Sequence, residues 1–240
     1  WWVPTFVGLH PAVGFIVALV VAPLAAGVIA AAADLTVLKR LKYDPESTIV
    51  ATIGILYIIQ QVVLMTYGPD ARPVQAPFSH RFYTPWFGYS SYKLFVIGMA
   101  ILLLLGVWAL MAKTRIGLIL RATQLDREMA QAFGIPVERV YAIVFGLGAA
   151  LAAMAAVLIV PIQQAHYLMG GDPLLLSFIV VIIGGLGSLM GTVVAAVLIG
   201  MSDGIISVFF TPTLAKILAT LLVAFVLLFR PNGLFGKSGS

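Results

Sequence analysis

The sequence has 240 residues, of which 62% are hydrophobic and only 10% are charged, and its formal net charge is +5. Soluble domains average about 25% charged residues, so this deficit, with a mean hydropathy of +1.10, excludes an ordinary water-soluble domain. The positive residues lie between apolar runs and form no continuous patch, which argues against nucleic-acid binding. The sequence contains no cysteine, so it forms no disulfide.

Five apolar segments are predicted to be membrane-spanning helices. Each approaches the ~20 residues that a helix needs to cross about 30 Å of hydrocarbon. They are Ala12–Ala33, Thr48–Tyr67, Leu94–Ala112, Val140–Val160 and Leu214–Phe229. We therefore expect an all-α fold, a polytopic transmembrane helical bundle in a single domain over residues 1–240.

Polar residues within these segments are candidates for a solute pathway. Gln60, Gln61 and Thr52 lie in the second segment, and either a substrate contact or a hydrogen bond between helices would account for them. Asp203 and Lys216 lie further along the chain. A charge at membrane depth requires a partner or water, and an Asp203–Lys216 ion pair is one hypothesis.

The stretch Leu174–Phe210 is too long for one crossing and short for two, and glycines interrupt its middle. Gly184, Gly185, Gly187 and Ser188 lie at the interruption. Two interpretations stay open: close helix packing through small residues, or a broken or re-entrant helix whose exposed amides face a pathway.

Lys and Arg are distributed unequally between the two sides of the predicted bundle. If the helices alternate, ten fall on one side: Lys39, Arg40, Lys42, Lys113, Arg115, Arg121, Arg127, Arg139, Arg230 and Lys237. Arg72, Arg81 and Lys93 fall on the other side, and Lys216 lies at or in the membrane. The positive-inside rule makes the side with ten cytoplasmic.

One cytoplasmic connection, residues 114–139, is predicted to contain an amphipathic helix from Gly117 to Phe133. Its apolar residues recur every three or four positions, on one helical face: Leu118, Ala122, Leu125, Met129 and Phe133. Gly134 and then Pro136 are predicted to end the helix. Because Asp126 and Glu128 interrupt its basic residues, docking to a partner protein is favoured over resting on lipid headgroups.

Motifs in this connection resemble a known family. The run Glu128-Met-Ala130-Gln-Ala-Phe-Gly134 resembles the Glu-Ala-Ala-x-x-x-Gly loop of ABC-importer permeases, with Met129 in place of the second residue. The longer run from Thr114 to Ile135 is similar to branched-chain amino-acid permeases of the LivH type. Further matches in the same order are Ala51-Thr-Ile-Gly54, Gly68-Pro69-Asp70, Gly184-Gly-Leu-Gly-Ser188 and Arg230-Pro-Asn-Gly-Leu-Phe235.

The resemblance implies a permease subunit of an ATP-binding-cassette importer in the bacterial inner membrane. Its partners would be cytoplasmic ATPase subunits, a second permease subunit and a periplasmic solute-binding protein. Residues 114–139 would be the segment coupled to the ATPase, through Arg121, Asp126, Arg127, Glu128, Ala130 and Gly134. The solute would be a branched-chain amino acid or a related small polar molecule.

The sequence departs from this family near its N-terminus. The Asn-Phe-Ala-His-Gly-Asp motif of LivH-type permeases is absent, and Trp1–Val7 is not a signal peptide, so we expect N-terminal helices to be missing. A self-contained channel or secondary carrier for urea or an amide is the alternative, but it would not explain the amphipathic connection.

Catalysis by this chain itself is not expected. No Gly-x-x-x-x-Gly-Lys loop for ATP occurs. His10, His80 and His166 are scattered, so we expect no metal site and no cofactor.

Overall fold

A computed structural model describes residues 11–41, 43–78, 81–83, 88–185, 187–209 and 221. Its contacts divide the chain into two compact units, one ending at Tyr167 and one beginning at Leu168.

Four long helices form the frame of the first unit: α1 (Pro11–Ala33), α2 (Pro45–Tyr67), α3 (Ser91–Lys113) and α6 (Val137–Gln163). The shortest of them has 23 residues, which is about 34 Å at ~1.5 Å per residue. All four are long and apolar enough to cross a membrane. The first four predicted spans are therefore confirmed. Of Leu214–Phe229 only Leu221 is described, so that prediction lies outside the described residues.

The surfaces of these helices are apolar. Large hydrophobic side chains are exposed along them, with Val28 68% exposed, Val50 71% and Met65 77%. A surface of this kind is stable in lipid and would aggregate in water. The chain is therefore a multi-pass membrane protein with an all-α helical fold.

Helices α1 and α6 pack against each other along their lengths. A Cβ atom at Gly27 would lie 3.1 Å from the carbonyl oxygen of Gly146, and one at Gly146 would lie 3.0 Å from that of Gly27. Glycine at both positions lets the two backbones approach closely. In lipid, where the hydrophobic effect does not drive helices together, this close van der Waals packing stabilises the pair.

Contacts between distant segments define two ends of this unit. At one end, Lys39 after α1 forms a 2.7 Å salt bridge with Glu138 at the start of α6. At the other end, the backbone of Arg72 after α2 pairs with Ala165 after α6. The four long helices therefore alternate in direction, as the sequence predicts, and the connection between α3 and α6 lies at the end that holds Lys39.

An aromatic cluster and a small hairpin lie at the end that holds Arg72. Strands β1 (Arg81–Tyr83) and β2 (Gly88–Ser90) pair antiparallel. The buried Tyr92 packs against Phe78 and Phe95, and its hydroxyl donates a 2.9 Å hydrogen bond to the carbonyl oxygen of Leu158. This bond ties α3 to α6 one turn before Pro161, where a proline weakens the helical hydrogen bonding.

The second unit contains α7 (Gly171–Gly184) and α8 (Leu189–Phe209). Ile183 packs with Ala195 and Ile199 into a small core, and four residues connect the two helices, so they run antiparallel. With 14 residues, α7 is about 21 Å long, shorter than the hydrocarbon layer. Asp203 lies in α8, half-buried, and Lys216 of the predicted Asp203–Lys216 pair lies outside the described residues.

Candidate functional site

The connection between α3 and α6 contains two short helices, α4 (Arg115–Leu125) and α5 (Arg127–Ala132). The prediction of one continuous helix from Gly117 to Phe133 is wrong, because Asp126 has an extended backbone, with φ −152° and ψ 108°. Its carboxylate Oδ1 accepts a 3.0 Å hydrogen bond from the Met129 N–H. Asp126 therefore ends α4 and caps the N-terminus of α5, which explains the break.

Helix α4 begins immediately after α3, in a sharp turn. The Thr114 hydroxyl accepts a 3.2 Å hydrogen bond from the Gly117 N–H and donates one of 2.6 Å to the Leu110 carbonyl oxygen. A Cβ atom at Gly117 would overlap the carbonyl oxygen of Met111. Only glycine lets α4 fold back this closely on the end of α3.

Helix α5 ends in a glycine motif, as the sequence predicts. Gly134 has φ +80°, and its N–H donates to the Gln131 carbonyl oxygen at 2.9 Å, while the Ile135 N–H donates to that of Ala130 at 3.0 Å. This pair of bonds is the Schellman motif. Ala130 is buried with 4% of its surface exposed, so α5 is anchored by this residue while its other side faces outward.

Apolar side chains are exposed on α4, α5 and the turn after α5. Leu125 is 83% exposed, Phe133 82% and Met129 57%. These three residues, which we term the apolar docking face, lie beyond the long helices and at the same end as Lys39. An exposed group of large apolar side chains outside the lipid-spanning segments is typical of a surface that a partner covers.

The predicted coupling residues differ in their surroundings. Glu128 lies in the first turn of α5 and is exposed, where its charge complements the helix dipole. The Arg121 Nε donates a 3.3 Å hydrogen bond to the Gly117 carbonyl oxygen within α4. Arg127 instead contacts residues of other segments.

The guanidinium of Arg127 lies over two tyrosine rings. Its Cζ is 5.6 Å from the ring centroids of Tyr43 and of Tyr141, and the two rings meet edge to face at 4.8 Å. The Tyr43 hydroxyl donates a 3.2 Å hydrogen bond to Oδ2 of Asp34, which is 2% exposed in a π-helical turn, Asp34–Leu38, that continues α1. Burial and the neighbouring Asp34 raise the pKa of Tyr43 to about 12, so the hydroxyl keeps its proton.

Sequence reasoning missed Asp34, Tyr43 and Tyr141. A signal was present for Asp34, because an acidic residue directly after a 22-residue apolar run needs a partner. Nothing in the sequence pattern pairs the two tyrosines, because Tyr43 lies in the loop before α2 and Tyr141 lies in α6.

An open cleft of about 530 Å³ lies beside Arg127. Its walls come from the end of α3, from α4 and from α6, and are largely apolar. The lining residues are Met111, Leu120, Thr123, Gln124, Arg127, Val140, Tyr141 and Val144.

The predicted pathway residues fall into two groups, one in each unit. Thr52 and Gln60 are half-buried and, eight positions apart, share one side of α2. The Thr52 hydroxyl donates to the Thr48 carbonyl oxygen at 2.9 Å, so within the described residues its partner is its own helix.

The glycine group begins with the last residue of α7 and continues through the turn to α8. Gly184 and Gly185 are buried, Gly187 has φ +85°, and Ser188 Oγ accepts a 3.1 Å hydrogen bond from the Gly191 N–H at the start of α8. A Cβ atom at Gly184 would lie 2.6 Å from the backbone of Thr192. Close packing thus requires glycine here, whereas a role in solute passage stays a prediction.

Within the part of the chain that the structure describes, no cluster of three or more His, Asp or Glu residues could hold a metal ion.

Residues 2–227 match the family described as branched-chain amino acid transport system, permease component. The chain is 27% identical to the high-affinity branched-chain amino acid transport system permease protein BraD of Pseudomonas aeruginosa, over 91% of this chain and 75% of BraD. It is 27% identical to the corresponding LivH protein of Escherichia coli K12, over 83% of this chain and 69% of LivH.

A probable LivH protein of Methanocaldococcus jannaschii is 30% identical over 62% of this chain and 50% of its own length. No solved structure matches the chain significantly.

Proposed function

The chain belongs to the family of permease components of branched-chain amino acid transport systems, and from this premise we propose that it is a membrane-spanning subunit of an ATP-binding-cassette importer. In this proposal, separate ATPase subunits in the cytoplasm hydrolyse ATP, a second permease subunit completes the pathway, and a periplasmic binding protein delivers the solute. The membrane is the bacterial inner membrane, and the solute is a branched-chain amino acid or a related small polar molecule.

The observation that carries this proposal is the apolar docking face at the basic end of the first unit. The residues at this end include Lys39, Arg40, Lys113, Arg115 and Arg139. Positive charge is retained on the cytoplasmic side during insertion. Leu125, Met129 and Phe133 are therefore expected to face the cytoplasm, where water makes their exposure unfavourable unless a partner covers them.

A protein partner accounts for this face better than lipid does. Helices that rest on a membrane surface carry a strongly basic polar face, whereas Asp126 and Glu128 place two acidic groups in and before the first turn of α5. An apolar helical face with acidic neighbours fits a groove that supplies both an apolar lining and basic side chains.

A self-contained channel or secondary carrier is not favoured. The relatives reported above are permease proteins of transport systems, and a channel has no need of a cytoplasmic apolar face. The absence of a Gly-x-x-x-x-Gly-Lys loop from the 240 residues supports ATP hydrolysis on separate subunits.

Phe133→Glu tests the docking of the ATPase most directly. We expect this variant to lower the amount of ATPase that co-purifies with the permease at least about tenfold, since burying a charge in place of a central aromatic side chain removes a strong contact. Gln131→Glu introduces the same charge two residues away on α5 and should bind the ATPase normally.

The measurement is the ratio of ATPase to permease after co-expression and purification, with ATP-driven uptake in proteoliposomes as a second readout. Equal ratios for Phe133→Glu and the unmodified chain, or uptake that proceeds at full rate without ATP, would contradict the proposal.

A further inference from the structure

Four side chains from four separate segments meet at the basic end of the first unit. We term them the Arg127 cluster: Asp34 from the π-helical turn after α1, Tyr43 from the loop before α2, Arg127 from the start of α5, and Tyr141 from the second turn of α6. The two cation–ring contacts of 5.6 Å and the 3.2 Å hydrogen bond from Tyr43 to Asp34 connect all four.

The geometry of Tyr43 indicates that its neighbours hold it in place. Its φ of +57° lies in the left-handed region, which costs a non-glycine residue energy and persists only when surrounding contacts enforce it. The Tyr43 N–H donates a 3.4 Å hydrogen bond to the Leu38 carbonyl oxygen, and the Tyr43 side chain contacts Asp34, Arg127 and Tyr141. A ring held in this way is displaced when Arg127 is displaced.

The cluster is attached to two helices that pack against each other, through Tyr141 directly and through the hydrogen bond from Tyr43 to Asp34. Tyr141 lies on α6, and Asp34 continues α1; these two helices approach closely at Gly27 and Gly146. The salt bridge between Lys39 and Glu138 joins the same two elements beside the cluster. A displacement that reaches Tyr43 and Tyr141 is therefore passed to the packed pair α1 and α6 together.

Arg127 and the apolar docking face lie on different sides of α5. Leu125, Met129 and Phe133 are exposed. Arg127 is also exposed, but its guanidinium lies over two tyrosine rings of this chain. The helix thus presents one side outward and holds the rest of the chain with the other.

We propose that Arg127 is a positioning residue that transmits the movement of α5 to α1 and α6, rather than a contact to the ATPase. This inference rests on the proposed function, because α5 moves only if a partner moves it. The family resemblance places Arg127 among the ATPase contacts, whereas its contacts with Tyr43 and Tyr141 assign it a role within this chain.

Arg127→Gln in the intact importer, reconstituted with its ATPase subunits and binding protein, separates the two roles. The variant removes the cation over both rings. We expect the ATPase to co-purify in normal amount, while the solute transported per ATP hydrolysed falls about fivefold, within the range seen when residues along a coupling network are changed. Arg139→Gln, an equal change of charge at an exposed position of the same end, is the matched control and should leave this ratio unchanged.

Each outcome bears on a different claim. If Arg127→Gln loses the ATPase as Phe133→Glu is expected to, Arg127 is a docking contact and the inference is wrong; normal coupling in Arg127→Gln also overturns it. If the unmodified importer binds no ATPase or transports without ATP, the proposed function itself fails, whatever Arg127 does.

A second measurement keeps Arg127 unchanged, so it does not require an Arg127 variant to fold and to assemble with the ATPase. Because the chain has no cysteine, two spin labels can be attached to one chain that carries both Arg40→Cys and Gln131→Cys, two exposed positions. The cluster predicts that the distance between these labels stays the same with and without bound ATP, since α5 and the loop after α1 move together. A distance that changes on ATP binding would refute the inference.

Discussion

Asp126 has two properties that act at the scale of a single residue, its negative charge and its ability to cap a helix. The cap is visible in the 3.0 Å bond from the Met129 N–H, and hydrogen bonds to this carboxylate do not require its charge. The family resemblance suggests instead that the charge contacts the ATPase. Substitutions that remove one property and keep the other distinguish these roles.

Asp126→Ala removes the cap, and Asp126→Asn keeps an acceptor for the Met129 N–H. Loss of an N-cap costs about 1 kcal/mol, and we expect it to favour a continuous α4–α5 helix that misplaces Phe133. ATP-driven uptake should therefore fall about fivefold in Asp126→Ala and stay near normal in Asp126→Asn. Equal losses in the two variants would show that the charge, and not the cap, is what matters.

The structural roles of some residues were predicted correctly from the sequence, and those of others were not. Gly134 was found, because a glycine after an apolar-periodic segment and before a proline is a strong helix stop. Asp126 was placed inside the helix, because the periodic spacing of Leu125 and Met129 continues across the break. Tyr43 and Tyr141 were missed, because their contact depends on how α1 and α6 pack.

The packing of α1 against α6 is the main contact between elements in the first unit. Gly27 and Gly146 lie at the closest approach, where each Cβ atom would come within 3.1 Å of the opposing carbonyl oxygen. Any larger side chain forces the two backbones apart, and the Lys39–Glu138 bridge and the Arg127 cluster lie on this same pair of elements.

Gly146→Leu should lower the free energy of unfolding in detergent micelles by about 1–3 kcal/mol, the usual cost of overfilling a packed contact. Gly148→Leu is the matched control on the same helix, because a Cβ atom there meets nothing within 4 Å, and we expect a change within about 0.5 kcal/mol. A denaturant titration compares the two. If Gly146→Leu is as stable as Gly148→Leu, the close approach of the two helices is not present in the protein.

Membrane helices were predicted well, because a long apolar run identifies them in the sequence. Elements that depend on local backbone geometry were not predicted. The spans from Ala12, Thr48, Leu94 and Val140 were found, because a long apolar run has few alternatives to a membrane helix. The π-helical turn Asp34–Leu38 and the hairpin of β1 and β2 gave no periodic signal. The glycine interruption at Gly184 was identified, and its function stays a prediction.

At the scale of the whole molecule, the long helices of the first unit and its two ends present different surfaces. The long helices present apolar side chains to lipid, the end with Arg72 carries an aromatic cluster, and the end with Lys39 carries the basic residues and the apolar docking face. The proposed importer requires that this basic end face the cytoplasm, because both ATP and the ATPase subunits are there. The ATPase contact and the role of Arg127 depend on this orientation.

Labelling of single cysteines in right-side-out vesicles with a membrane-impermeant maleimide tests that orientation directly. The cysteine-free sequence lets Gln131→Cys report on α5 and Gln75→Cys report on the loop after α2, and both positions are exposed. The account predicts that Gln75→Cys reacts in intact vesicles and that Gln131→Cys reacts only after the vesicles are opened. Reaction of Gln131→Cys in intact vesicles would place α5 outside the cell and contradict the account.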